Sequence, residues 1–284
     1  MNTIAILGAG ELGATLARLL ADREMARRVV LVDPDDGKAR GKALDITQSG
    51  PVEGYDTRVE GCATLKDAQP FDVLVVADPP ELTSETLPEA RAGDLARSLI
   101  AEVGQGILLV AGSHAPSIVE AVVRRGLPRE RAIGTSPVAA AAALCHRLGA
   151  ELKAEPSTVS VGLLGDPPAH CVVPQGSAVI GGIPVEKLAA TAVRRAVDGL
   201  RRRVLGPVAL AQAARRVLHA VDRSRGTILP VFAWLDGEYG HRGLVLAVPA
   251  VLGGGRLQRV VEVPLDPVDR VALDTAAQRR EQAR

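Results

Sequence analysis

Ile4-Ala5-Ile6-Leu7, Gly8-Ala9-Gly10-Glu11-Leu12-Gly13 and Val29-Val30-Leu31-Val32-Asp33 decide how this chain folds. The first is an unbroken apolar run, and an Ala/Leu-rich stretch carries the chain from the glycines to about Asp22. Strand, glycine turn, helix, strand and acidic residue follow in the order of a dinucleotide-binding unit. Gly8 permits the tight turn, Gly10 lets a pyrophosphate approach the backbone, and Gly13 lets the helix pack close to the strand. The helix N-terminus then offers free N–H groups and a positive dipole end to phosphates. The expected cofactor-binding set is Gly8, Gly10, Glu11, Leu12, Gly13 and Asp33, with NAD as the cofactor. Asp33 stands where a carboxylate accepts from both ribose hydroxyls. With no cation expected beside it, and with Pro34, Asp35 and Asp36 next in the chain, it should repel a 2′-phosphate and favour NAD(H) over NADP(H). Glu11 leaves two readings open: pointed at solvent it is harmless, pointed inward it repels the phosphates.

Composition removes several function classes. A net charge of +1 and 2% aromatic residues argue against nucleic acid as a partner. No apolar run approaches membrane-spanning length, and no signal-like segment precedes the first strand. Cys62, Cys145 and Cys171 are odd in number and fit no zinc spacing, so reduced thiols in a cytoplasmic protein and no metal site are expected.

Beyond Asp33 the pattern alternates. Helices are predicted over Gly37–Ser49, Leu87–Glu102, Ser117–Arg125 and Val138–Gly149, with strands at Val73–Ala77, Ile107–Ala111 and Ala132-Ile133. Such alternation gives an α/β fold, a doubly wound parallel sheet of Rossmann type. After Pro156 it changes: strands at Val159–Leu164 and Ser177–Ile180, helices over Val185–Leu205 and Val208–Val221, then strands at Ile228–Leu235, Leu244–Val251 and Gln258–Val263. Asp266-Pro267 opens a last helix, with Asp as N-cap and Pro at the first helical position. Two domains are expected, a nucleotide-binding one over 1–150 and an α+β one over 151–284.

The glycine turn with Asp33 is followed by Gly41-Lys42-Ala43-Leu44-Asp45-Ile46-Thr47-Gln48-Ser49 and Pro51-Val52-Glu53-Gly54-Tyr55-Asp56. Further segments are Gly126-Leu127-Pro128, Gly182-Ile183-Pro184-Val185, Leu235-Asp236-Gly237-Glu238-Tyr239-Gly240 and Val248-Pro249-Ala250-Val251-Leu252-Gly253. In these the chain resembles the malate/lactate dehydrogenase family, specifically its malate dehydrogenase branch, from end to end. The resemblance implies NAD-dependent oxidation of a 2-hydroxy acid and a homo-oligomer, dimer or tetramer, with subunit contacts through the Ala43–Gln48 helix. It also implies a histidine that takes the hydroxyl proton, a buried aspartate that orients it, arginines that clamp the substrate carboxylate, and a positioning asparagine.

Those roles are missing at the matching positions. The aspartate and helix-borne arginine fall at about Ala140 and Ala143, the histidine at about Pro168, and the asparagine at Ser113. The loop that should carry two arginines, Asp78–Glu89, has none and holds three glutamates. Asp78-Pro79-Pro80 also replaces the small pair that packs on the cofactor in the family. The expectation is an NAD(H)-binding pseudoenzyme, degenerate for 2-hydroxy acid oxidation. The alternative is an active NAD-dependent oxidoreductase on a different small molecule, using relocated groups. Its candidate catalytic residues are His170, paired with Asp166, then His114 and Arg91.

Overall fold

A computed structural model describes residues 1–77, 87–189, 191–202 and 204–282. β1 (Thr3–Leu7) lies between β2 (Arg28–Val32) and β4 (Val73–Val76), all parallel, with β3 (Arg58–Cys62) outside β2. β5 (Ile107–Val110) and β6 (Ala132–Gly134) continue the parallel sheet beyond β4. The resulting order 3-2-1-4-5-6 reverses direction between β1 and β4, which opens a crevice at the carboxyl ends of those strands.

The strands are near-continuous runs of Val, Ile and Leu because both faces are covered. Ile4, Ile6, Val73, Val75 and Leu109 point to one side, where α1 (Glu11–Asp22) packs with α9 (Pro207–Asp222). Ala5, Leu74, Val76, Leu108 and Val110 point to the other, against α4 (Glu89–Val103) and α5 (Ala115–Arg124). The period of two along each strand therefore builds both hydrophobic layers at once.

The sheet continues antiparallel from β6 into β12 (Thr227–Asp236) and β13 (Arg242–Gly253), then into β8 (Leu164–Asp166) and β9 (His170–Val172). β14 (Arg256–Val260) pairs with β13. β7 (Val159–Val161), β10 (Ala178–Ile180) and β11 (Ile183–Pro184) form a separate small sheet. The last helix, α10 (Pro267–Gln282), starts as predicted, with Asp266 Oδ1 accepting from Asp269 N at 2.8 Å. α2 (Asp36–Glu53) and α6 (Ser136–Leu152) also form where expected and run longer, and α3 (Leu65–Ala68) is a single turn between β3 and β4. Residue 150 falls in the last turn of α6.

Two predicted elements divide. The single strand over Val159–Leu164 is two strands in different sheets: β7 pairs with β10, β8 with β13 and β9. The break sits at Gly162, where a Cβ would meet the Ser177 side chain, so the chain passes from one sheet to the other there. The helix over Val185–Leu205 becomes α7 (Val185–Leu188) and α8 (Ala192–Leu200), with Ala189 extended after α7. α7 buries only Val185 and leaves Leu188 exposed, so no continuous apolar stripe holds one long helix.

Candidate dinucleotide site

Gly8 has φ +106°, a backbone conformation that L side chains rarely adopt. Its N–H donates to Val32 O at 2.7 Å, which ties the turn to β2. A Cβ at Gly13 would run into the Gly8 carbonyl, so the third glycine sets the approach of α1 to the turn. Gly10 is the N-cap of α1, and no side chain caps the first turn. The N–H groups there are the donors a phosphate would accept from. Glu11, the first residue of α1, is exposed. Leu12 is 2% exposed: it supplies a backbone N–H to that turn while its side chain sits in the core.

Asp33 is 1% exposed at the end of β2. Its Oδ2 accepts from Ala9 N and from Lys38 Nζ, both at 2.9 Å, and its Oδ1 accepts from Asp35 N at 3.1 Å. Burial pushes the Asp33 carboxyl up, but the Lys38 ammonium and the two backbone donors outweigh it and hold the pKa below the usual carboxylate value. Lys38 corrects the sequence reading, which placed no cation beside Asp33. It lies in the first turn of α2, where the N-cap Asp35 accepts from its backbone N–H at 3.0 Å, and its stem folds back onto β2's last carboxylate.

A cavity of about 620 Å³ opens at the carboxyl ends of β1, β2 and β3, lined by Leu7, Val32, Pro34, Ala63, Leu87 and Arg91 among others. Arg91, exposed on the first turn of α4, therefore stands on the same side as Asp33's neighbours Val32 and Pro34. Neither His170 nor His114 lines this cavity, so the three candidate catalytic residues do not form one cluster. Residues 78–86, including Asp78-Pro79-Pro80 and most of the glutamate-bearing loop, lie outside the described residues.

Ala140 is 1% exposed and belongs to an apolar cluster with Leu144, Leu163, Cys171 and Val197, with Ala143 packed against it. Burial in that cluster pushes the Cys171 thiol up to about 12. Ser113 is exposed, and His114 is a buried residue at the N-cap of α5. His170 is the cross-strand partner of Asp166 in the β8–β9 hairpin. Burial raises the Asp166 carboxyl, and the nearby charges of Arg280 and His170 pull it back only in part. Arg280, from α10, donates through Nη2 to Ser117 Oγ at 2.9 Å. The sequence reading saw the His170–Asp166 pair and missed Arg280, which is more than a hundred residues away in the chain. No group of His, Cys, Asp and Glu among the described residues could hold a metal ion, and no helix among them is long and apolar enough to cross a membrane.

A glycine turn on an uncapped helix N-terminus, with a buried acid closing the next strand, defines an NAD-binding unit of oxidoreductase type. Residues 2–81 match the lactate/malate dehydrogenase NAD-binding domain. The chain is 32% identical to the malate dehydrogenase of Desulforudis audaxviator, covering 95% of this chain and 94% of that protein. It is 30% identical to that of Chloroherpeton thalassium, with 96% and 94% covered. The solved malate dehydrogenase of Salinibacter ruber superposes with a TM-score of 0.89 at 26% identity, over 99% of this chain and 96% of that one. The chain belongs to the malate/lactate dehydrogenase family, and NAD is its cofactor.

Proposed function

We propose that the protein binds NAD(H) without interconverting 2-hydroxy and 2-oxo acids. The observation that carries this reading is the packing of Ala140 and Ala143, methyl groups set into or against an apolar cluster where the resemblance expects charged groups. In this reading residues 1–150 form the nucleotide-binding domain and 151–284 a second domain that keeps the fold without the chemistry. Gly8, Gly10 and Gly13 place the pyrophosphate at α1, and Asp33 faces the adenosine ribose. NAD supplies hydride transfer when bound; nothing at Ala140, Ala143 or Pro168 delivers the accompanying proton. Calorimetric titration with NADH should show one saturable site per chain, with no NADH oxidation when oxaloacetate or pyruvate is then added. Absence of binding would refute the cofactor half of the reading; oxidation would refute the other.

A homo-oligomer, dimer or tetramer, is part of the same proposal. α2 buries Ala39, Ala43, Ile46 and Gly50 and leaves two apolar side chains exposed about two turns apart, Leu44 at 57% and Val52 at 85%. Closed symmetric assembly through this helix would cover both. Light scattering should give a mass at least twice the 29.6 kDa chain, and Leu44→Asp should shift it towards the monomer. A monomer mass for the unmodified protein at micromolar concentration refutes the assembly. A cytoplasmic setting is part of the same proposal, supported by the three free thiols.

The second reading, an oxidoreductase acting on another small molecule, is favoured by one arrangement. His170 and Asp166 are cross-strand neighbours, and Arg280 is fixed beside them by Ser117. That supplies an imidazole, a carboxyl of raised pKa and a guanidinium from new positions. Activity on any 2-oxo or 2-hydroxy compound that disappears in both His170→Ala and Arg280→Ala would decide for it.

A further inference from the structure

We propose that the groove between α4, α5 and α10 is a binding site for a small carboxylate, separate from the dinucleotide cleft. A cavity of about 70 Å³ opens there. Its polar lining includes Ser117, Arg125 and Arg280, and its apolar lining Leu87, Ala92 and Ala121. Among the described residues, Leu87 is the one it shares with the dinucleotide cleft. A single water needs roughly 10–15 Å³, so the space takes a handful of heavy atoms, a short carboxylic acid and not a nucleotide.

α5 supplies the frame. Ser117, Ala121 and Arg125 recur every four residues and so share one face of the helix. Arg125 folds back along that face, its Nη1 donating to Ala121 O at 3.2 Å. Arg280 arrives from the last turn of α10 and donates through Nη2 to Ser117 Oγ at 2.9 Å. The two anchor residues are four positions apart, about 6 Å along the helix axis. One carboxylate placed between the two guanidinium groups can therefore accept from both. Gly93 of α4 makes the room, since a Cβ there would collide with Arg125 Nη2. The first turn of α4 also borders the cavity and has no side-chain cap, so its N–H groups and positive dipole end add to the attraction.

The surrounding charges leave these two arginines unspent. Arg124, the third arginine of the lining, is paired with Glu120 at 3.0 Å and lies 5.9 Å from the centre of the Trp234 ring. Glu89 is exposed to water on the first turn of α4. Asp166 lies near Arg280, but burial raises its carboxyl and so disfavours the charged form. No ion pair holds Arg125 or Arg280 among the described residues, and Arg280 Nε is a buried donor without a hydrogen-bond partner there. Buried donors are almost always satisfied, and a carboxylate beside this guanidinium supplies the missing acceptor. Leu87, Ala92 and Ala121 then cover a short apolar tail, which favours a carboxylic acid over inorganic phosphate.

The test is calorimetric titration of the full chain, without dinucleotide, with butyrate, its neutral counterpart butyramide and inorganic phosphate at constant ionic strength. Butyrate should bind at one saturable site per chain with a Kd of about 1–10 mM, and butyramide at least about tenfold more weakly. Arg125→Met and Arg280→Met, which keep the stems and remove the charges, should each weaken butyrate by about tenfold or more. Gly93→Ala should do the same without removing a charge, because its methyl group displaces the Arg125 guanidinium. Arg18→Met, an equal change of net charge at an exposed position of α1, should bind butyrate as the unmodified protein does. Circular dichroism melts identify the folded variants, and Gly93→Ala carries the test if an arginine variant does not fold. The proposal is overturned by no saturable butyrate binding up to about 100 mM, by butyramide binding within about tenfold of butyrate, by unchanged affinity in any folded variant of the three, or by equal loss in Arg18→Met. Tighter binding of phosphate than of butyrate overturns the carboxylate assignment. All of these outcomes are independent of NAD(H) binding, which belongs to the other cleft.

Discussion

Purified protein supplied with malate or lactate and NAD, or with oxaloacetate or pyruvate and NADH, should show no steady-state turnover near the roughly 1 s⁻¹ at which ordinary enzymes begin. The reason is local. Reduction of a 2-oxo acid places negative charge on the carbonyl oxygen as hydride arrives, and preorganised donors that stabilise such charge are usually the largest catalytic contribution. At the positions the family resemblance assigns to those donors stand Ala140, Ala143 and Pro168, and Ala140 faces an apolar cluster. General acid–base catalysis alone is worth about 10²–10⁴ in rate, and loss of the carboxylate clamp removes substrate orientation as well. Coupled absorbance at 340 nm, run at high enzyme concentration for hours, checks this. Turnover of about 1 s⁻¹ or more on any of the four acids would overturn the degenerate reading. Restoring Ala143→Arg with Ala140→Asp should not create activity, since Pro168 still offers no proton. It should instead destabilise the protein, because it puts ionisable groups among Leu144, Leu163, Cys171 and Val197.

The first thirty-three residues were legible because each carries its own constraint. Apolar runs, glycines that alone fit their backbone, and a carboxylate closing the second strand are all local signals, and the turn they build has the geometry expected of it. β3 was not legible: Arg58-Val59-Glu60-Gly61-Cys62 is an edge strand with Arg28, Arg58 and Glu60 paired across its surface, so it lacks the apolar run of its neighbours. The split of Val159–Leu164 between two sheets is decided by partners far along the chain, β10 and β13, which no local window contains. The cofactor corner failed for a related reason. Counted along the chain it reads Asp33, Asp35, Asp36 and then Lys38; only the first turn of α2 brings the Lys38 ammonium back onto Asp33. Arg280 and Ser117 meet across 163 positions, beyond any motif.

Gly13→Ala should destabilise the protein by about 3 kcal/mol, and Gly13→Val should prevent stable folding, where overpacking of a close-packed site usually costs about 1–3 kcal/mol. The added Cβ would meet a backbone carbonyl, that of Gly8, with Ile6 Cγ2 a further 3.4 Å contact. A flexible side chain could step aside; this oxygen cannot. Gly8 N is bonded to Val32 O, and the next residue, Ala9, donates its N–H to the buried Asp33 carboxylate, so the turn is held from both sides. Relief must come from α1 moving off the sheet, and α1 carries the fully buried Leu16 and Leu20 together with Leu12. That movement would also withdraw the N–H groups at the start of α1 from the phosphate position, so NADH binding should fail even in whatever fraction of Gly13→Ala folds. Gly41 supplies the control. It is an interior residue of α2 with nothing within 4 Å of a built Cβ. Gly41→Ala should therefore stabilise the protein by roughly 0.5–1 kcal/mol through helix propensity. Urea unfolding of the two variants beside the unmodified protein should move the midpoints in opposite directions. If Gly13→Ala unfolds with the midpoint of the unmodified protein, α1 does not rest on the Gly8 carbonyl, and the close approach on which the phosphate site depends is absent.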